Sequence, residues 1–216
     1  MADQSPKPPG LFVTFEGVDG AGKSTQLRLA AEFLREQAGR TVTTTREPGG
    51  SPGAEEIRSL LVSGAPQRWS AMTELLLFNA ARRDHLERTI EPALVRGEIV
   101  LCDRFVDSTR AYQAAGRGAD AELVERIHAL TIDREADLTL IFDLDPKTAG
   151  VRGGAGEEDR YEQLGEGFQA TLRRAFLDIA AANPERCRVI DAGRQIEDVA
   201  ADAIAAIRRV LDEASP

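Results

Sequence analysis

Gly17-Val18-Asp19-Gly20-Ala21-Gly22-Lys23-Ser24 is the stretch from which the rest of the chain is read. It meets every fixed position of G-x-x-x-x-G-K-[ST]. Upstream, Leu11-Phe12-Val13-Thr14-Phe15 is a short apolar, β-rich run that predicts a buried strand. Downstream, Leu27, Ala30, Ala31 and Leu34 recur at helical spacing. Strand, glycine loop and helix in that order aim backbone N–H groups and a helix N-terminus at one point, which is a phosphate site. In such a loop Lys23 reaches the β/γ-phosphates of a nucleoside triphosphate and the Ser24 hydroxyl ligates Mg²⁺.

Composition narrows the partners. The chain has 216 residues, enough for one domain, and its 42% hydrophobic content supports a core. With 36 acidic against 27 basic residues the net charge is −9, which argues against nucleic acid as a partner. A small phosphate ligand needs only a few local arginines. Cys102 and Cys187 stand far apart, with neither a disulfide framework nor metal-ligand spacing, so they read as small buried residues in a reducing cytoplasm. Residues 1–10 are polar and proline-rich and read as a flexible tail rather than a secretory leader; no apolar run reaches membrane-spanning length. The expected domain is 11–213.

Along the chain, Thr41-Val42-Thr43-Thr44-Thr45 predicts a second strand, broken by Arg46-Glu47-Pro48-Gly49-Gly50. Ser51-Pro52 reads as an N-cap followed by proline at the first helical position. A long helix over 72–94 follows, with Met72, Leu75, Leu76, Phe78, Ala81, Leu86 and Ile90 on one side. Ile99-Val100-Leu101-Cys102 predicts a third strand ending at Asp103-Arg104. Helices are expected over 108–115 and 121–131, then a fourth strand at 138–143. Asp145-Pro146 opens a helix that runs into a glycine-dense piece, a lid candidate over 150–158. A helix from about Asp159 to Ala182, a strand Cys187-Arg188-Val189-Ile190-Asp191 and a last helix complete the pattern. Alternation of this kind predicts an α/β chain: a three-layer P-loop nucleoside triphosphate hydrolase fold, its five-stranded parallel sheet covered by helices on both faces, with a short lid. Ligands then lie at the carboxyl ends of the strands.

The loop alone permits a small-molecule kinase, a GTPase switch or a motor ATPase. N-K-x-D and L-S-G-G-Q are both missing from the sequence, which weakens the last two. Arg46, Arg82, Arg104, Arg152 and Arg160 are spaced along the predicted rim. Several guanidinium groups near one phosphate site suit a reaction in which two phosphorylated substrates meet, because they offset the repulsion and stabilise transition-state charge.

These residues carry a resemblance. Phe15-Glu16-Gly17 through Gln26, Thr45-Arg46-Glu47-Pro48-Gly49-Gly50, Asp103-Arg104-Phe105, Ser108-Thr109-Arg110-Ala111-Tyr112-Gln113, Gly116-Arg117-Gly118 and Asp159-Arg160-Tyr161-Glu162 resemble thymidylate kinase, in order and at family-like spacing from about Leu11 to Leu211. The resemblance implies transfer of the ATP γ-phosphoryl to dTMP with Mg²⁺, by a protein that is usually a homodimer. It makes Gly17, Val18, Asp19, Gly20, Ala21, Gly22, Lys23 and Ser24 the ATP site, and Ser24 and Asp103 the metal ligands. It places Phe78 on the thymine ring, Arg82 on its carbonyl edge, and Thr109 and Gln113 where the base is read. Tyr112 crowds the 2′ position, Glu47 and Pro48 line the acceptor site, and Arg46 and Arg104 hold its phosphate. Asp19 approaches the 3′-hydroxyl or the metal. Ala21 leaves the loop without an arginine, which in this family goes with a lid arginine; Arg152 and Arg160 are the candidates. Two departures stand out: Gly153, Gly154 and Ala155 make the lid arginine-poor, and Phe105 replaces the tyrosine or histidine common after Asp-Arg.

The chemistry follows from the acceptor itself. A phosphate monoester has a second pKa near 6, so at neutral pH it is mostly a dianion and needs no general base. Positioning, charge neutralisation and exclusion of water remain for the protein. Lys23, the Mg²⁺ on Ser24 and the arginines supply charge, and a closing lid excludes water. A monophosphate kinase with another base choice, a deoxynucleoside kinase and a nucleotide-dependent switch are the competing readings.

Overall fold

The computed structural model describes residues 10–65, 67–152 and 165–213. Strands β1 (Leu11–Glu16), β2 (Val42–Arg46), β3 (Ile99–Asp103), β4 (Leu138–Asp143) and β5 (Cys187–Asp191) form one sheet in the order β2-β3-β1-β4-β5, every adjacent pair parallel. The order puts the apolar β1 at the centre, buried along its whole length. Alternate residues of a strand face opposite ways. Val13 and Phe15 therefore share one apolar cluster with Ala30, Ala31 and Leu34, while Phe12 joins Leu86, Ile90, Val100 and Cys102 in another. Each strand had been expected within a residue of where it lies. β2 and β3 reach one residue further toward the rim, because Arg46 pairs with Asp103 and the Glu47 N–H continues onto the Asp103 carbonyl (2.9 Å).

The helices are α1 (Lys23–Glu36), α2 (Pro52–Val62), α3 (Ala71–His85), α4 (Glu91–Val95), α5 (Val106–Thr109), α6 (Ala121–Thr131), α7 (Pro146–Arg152), α8 (Gly165–Ala182) and α9 (Ile196–Glu213). Two segments of wider, π-helical winding, Leu86–Ile90 and Arg110–Gly116, join α3 to α4 and extend α5. The long helix expected over 72–94 is thus three pieces, and its inward face is not the predicted one. Met72 and Leu76 are 42% and 53% exposed, whereas Glu74, Asn79, Arg82 and His85 are buried. Leu75, Ala81, Leu86 and Ile90 do face inward. The reason is that each of these polar groups finds a partner inside the fold: Arg117 for Glu74, the Leu75 carbonyl for Asn79, and Glu47 for both Arg82 and His85.

Ser51 precedes Pro52 as expected but does not cap its own helix; its hydroxyl donates to Asp84 Oδ2 at 2.6 Å. Cys102 and Cys187 are free and buried. Helix α7 runs two residues past Gly150, so the lid expected over 150–158 begins as helix and its residues 153–158 lie outside the described residues, as do 159–164 and with them Arg160. Among the described residues no helix is long and apolar enough to cross a membrane.

Candidate active site

The glycine loop links β1 to α1 under the ends of β3 and β4. Gly17 sits at φ +132°, and a Cβ there would come within 2.5 Å of the Phe142 carbonyl oxygen, so a side chain would push the loop off the sheet. Gly22 (φ 87°) ends the turn and starts α1. Lys23 is buried, with Nζ donating to the Val18 carbonyl at 2.9 Å and 3.8 Å from Asp19 Oδ1. Ser24 Oγ donates to Asp103 Oδ2 at 2.6 Å across the gap between α1 and β3. Hydroxyl and carboxylate oxygens are the ligands a hard divalent cation takes, and the two suit Mg²⁺ when phosphate and water complete the shell. No cluster of three or more His, Cys, Asp or Glu able to hold a metal occurs among the described residues.

Arg104, at the end of β3, has φ 72°, a conformation that costs a residue with a side chain. Its guanidinium donates to Asp19 Oδ1 (2.5 Å), Ser108 Oγ (2.9 Å), Tyr112 OH (3.1 Å) and the Gly17 carbonyl (3.2 Å). Tyr112 OH donates to the other Asp19 oxygen at 2.9 Å, and its ring lies 5.0 Å from the guanidinium carbon. Asp19, Arg104 and Tyr112 form a closed triangle.

That triangle borders a pocket of about 440 Å³ lined by Asp19, Glu47, Pro48, Phe78, Arg82, Arg104, Phe105, Ser108, Thr109, Tyr112 and Gln113. Arg82 is 2% exposed, not a surface charge on the rim. Its Nε donates to Glu47 Oε2 (2.7 Å) and its Nη2 to the Phe105 carbonyl and Thr109 Oγ1 (3.0 Å each), while Nη1 is buried without a partner among the described residues. Phe105 stacks under this guanidinium at 5.1 Å and meets Phe12 edge-on at 4.9 Å, an apolar seat that a ring alone provides. Glu47 also faces His85 Nδ1 (3.0 Å), whose Nε2 meets Thr45 Oγ1 (2.7 Å). Arg46 is not in the wall of this pocket. It is 55% exposed at the end of β2 and pairs with Glu55 at 3.1 Å, and Glu55 in turn accepts from the Gly50 N–H at 2.9 Å.

A second, larger pocket, about 1420 Å³, is walled by the whole of residues 19–26, by Asp103, Arg104 and Arg152, and by residues 192–196 with Val199. Arg152 Nη1 donates to the Ala192 carbonyl at 2.8 Å, tying the end of α7 to that wall. The two pockets meet at Asp19 and Arg104, which line both.

Sequence reasoning missed four contributors. Residues 192–196 follow β5 and obey the strand-end rule that picked out the other loops. Glu16 is a carboxylate at the end of an otherwise apolar run, a local signal left unread. His85 carries no sequence signal, and Ser108 stands in the resemblance stretch 108–113 without a role of its own; packing brings them to Glu47 and Arg104.

The fields are strong. Burial works against the Asp19 carboxylate, yet Arg104, Lys23 and the Tyr112 hydroxyl together hold it well below the usual carboxylate range. Burial and the nearby Arg104 lower the Lys23 ammonium, against Asp19, Asp103 and Glu16. Burial and then Asp107 push the Glu16 carboxyl up to about 7, although Arg104 and hydrogen bonds from Ser108 and Phe105 favour its charged form.

A family model described as thymidylate kinase matches residues 15–203. A thymidylate kinase of Ruegeria pomeroyi is 59% identical over 195 residues, covering 89% of this chain and 92% of that one. One from Dinoroseobacter shibae is 59% identical over 199 residues, covering 91% and 96%. The crystal structure of thymidylate kinase from Ehrlichia chaffeensis superposes with a TM-score of 0.74 at 39% identity, over 93% of this chain and 99% of that one.

Proposed function

The chain belongs to the thymidylate kinase family, and from that premise we propose how its residues divide the work. The enzyme is a nucleoside monophosphate kinase that phosphorylates dTMP to dTDP, toward dTTP for DNA synthesis, with ATP as the donor. ATP lies in the larger pocket, its phosphates on the loop whose Asp19, Gly20, Ala21, Gly22, Lys23 and Ser24 wall that pocket and whose Gly17 and Val18 complete the motif. dTMP lies in the smaller one, with Phe78 on the base, Arg82, Thr109 and Gln113 at its polar edge, and Tyr112 and Asp19 against the sugar. Glu47 and Pro48 form the floor beneath it. Arg104 stands where the pockets join and holds the acceptor phosphate against the donor; Arg46 adds charge from the rim. Ser24 and Asp103 hold Mg²⁺, which when bound neutralises charge on the β- and γ-oxygens.

The observation that carries this reading is the junction of the two pockets at Asp19 and Arg104, because in-line transfer needs the acceptor and donor phosphates held close and aligned. Arg82 supports the thymine assignment: three of its five N–H groups are bonded within the protein, and the two on buried Nη1, without a partner among the described residues, are left for a carbonyl. Arg152, in the lid expected over 150–158, or Arg160, just beyond it, serves the transition state, Arg152 by trading the Ala192 carbonyl for phosphate. The kinase domain spans 11–213, the tail expected over 1–10 lying, Gly10 apart, outside the described residues; the enzyme works in the cytoplasm and pairs into a homodimer through the apolar residues exposed on α2 and α3, Leu60, Met72 and Leu76.

The test is ADP release from ATP and Mg²⁺ across a panel of monophosphates plus thymidine. Turnover selective for dTMP is expected. Selectivity for another monophosphate removes the base-reading roles, and slow release indifferent to every acceptor removes the kinase reading in favour of a switch.

A further inference from the structure

Glu16 closes β1 just before the phosphate loop, and its side chain is wholly buried. A carboxylate so placed could be taken for a general base, but the acceptor is already a dianion. Its oxygens are also engaged: Oε1 accepts from the Phe105 N–H (2.7 Å) and the Ser108 N–H (3.3 Å), and Oε2 from Ser108 Oγ (2.6 Å). Ser108 Oγ accepts from Arg104 Nη1 at 2.9 Å. The polarity of this chain is fixed at one end, since a guanidinium only donates. The serine hydroxyl accepts from it and has its single proton left for Glu16. The backbone is held from the same place. Arg104, in its costly φ 72° conformation, donates its N–H to the Phe15 carbonyl (3.0 Å), and the next N–H, that of Phe105, goes to Glu16.

We propose that Glu16 is a positioning residue: through Ser108 and the Phe105 N–H it holds Arg104 in the orientation that meets the acceptor phosphate. The proposal rests on the reading of Arg104 as the acceptor-phosphate arginine. The chain needs the carboxylate form, because a proton on Oε2 removes the acceptor that Ser108 uses. Burial opposes that form, so the fold keeps a charge that costs it stability, as groups retained for function do.

The experiment compares Glu16→Gln, Ser108→Ala, Ser108→Thr and Arg104→Lys in the full chain, measuring KM for dTMP, KM for ATP, kcat and the thermal midpoint. Glu16→Gln and Ser108→Ala are each expected to raise KM for dTMP about tenfold, the size of a lost charged hydrogen bond, with KM for ATP within about twofold. Ser108→Thr restores the hydroxyl and with it the wild-type KM. Glu16→Gln melts no lower than wild type, which separates mispositioning from misfolding. Should Glu16→Gln and Ser108→Ala leave KM for dTMP alone while Arg104→Lys raises it, the positioning role is overturned and the reading of Arg104 stands. Should Arg104→Lys leave it alone, that reading fails and the proposal with it. A lower melting point with both KM values raised together reduces Glu16 to a structural group.

Discussion

Lys23 holds its ammonium on the Val18 carbonyl, 3.8 Å from Asp19 Oδ1, beneath the loop. Lys23→Ala removes the one lysine that lines the larger pocket among the described residues and should abolish turnover; near-normal ADP release would remove it from the phosphate site. Arg152 donates to the Ala192 carbonyl, the one hydrogen bond it makes among the described residues. Its replacement by Ala should lower kcat by about 10²–10³, the loss seen when one transition-state donor goes; an unchanged kcat passes the role to Arg160. Glu16 makes a stability prediction of definite sign. Its carboxyl titrates at about 7 in the fold against 4.5 when unperturbed, so between these pH values the folded state binds the proton more tightly than the unfolded chain does. Its contribution to stability is therefore fully present below the lower value and is lost as pH rises through the upper one, a swing on the order of 3 kcal/mol. Glu16→Gln should be more stable than wild type in urea at about pH 8 and lose that advantage at about pH 5. An advantage independent of pH would show that the carboxyl is not the cause.

At the scale of elements, the turn after β2 shows how a loop is held rigid. Thr45, His85, Glu47 and Arg82 form one hydrogen-bonded chain running from the strand end through α3 into the smaller pocket. Gly50 closes over it at φ +86°, where a Cβ would lie 2.4 Å from His85 Nε2 and 2.4 Å from Thr45 Oγ1. Gly50→Ala combines backbone strain with that collision and should cost about 2–4 kcal/mol, with weakened dTMP binding, read by thermal unfolding and calorimetry. Normal dTMP affinity in this variant would mean the chain does not set Arg82. Helix α5 is anchored in a comparable way. Asp107, 1% exposed, takes Arg186 Nη1 at 2.6 Å and Arg110 Nη1 at 2.9 Å, and those bonds hold the start of the helix that carries Ser108 and Thr109. The π-helical segment Arg110–Gly116 then turns Tyr112 and Gln113 toward the pocket, as wider winding often does beside functional sites.

For the whole molecule, five parallel strands carry the glycine loop, residues 46–50, Asp103-Arg104 and residues 192–196 to one rim, and both pockets open there. Away from that rim, Leu60, Met72 and Leu76 leave apolar surface on the adjoining helices α2 and α3. A charge in such a patch should prevent association. Leu76→Asp is expected to shift a sedimenting dimer to monomer while far-ultraviolet circular dichroism stays unchanged. A dimer that survives would place the interface elsewhere.

The sequence by itself determined the strands, the parallel α/β plan, the phosphate loop and the family. Those properties depend on local periodicity, glycine geometry and residues close together in the chain. The strand order, the burial of Arg82 and the polar inward face of α3 were decided only by the tertiary structure. Met72 and Leu76 misled for one reason: helical spacing tells which residues share a face, not whether that face meets a core, a pocket or solvent. The pairing of Ser108 with Glu16 and that of His85 with Glu47 were hidden in another way. Ser108 lies 92 positions from Glu16, and His85 lies 38 from Glu47, so nothing local marks either pair. Their hydrogen bonds exist because the sheet brings distant segments together out of water, where each polar group must find a partner.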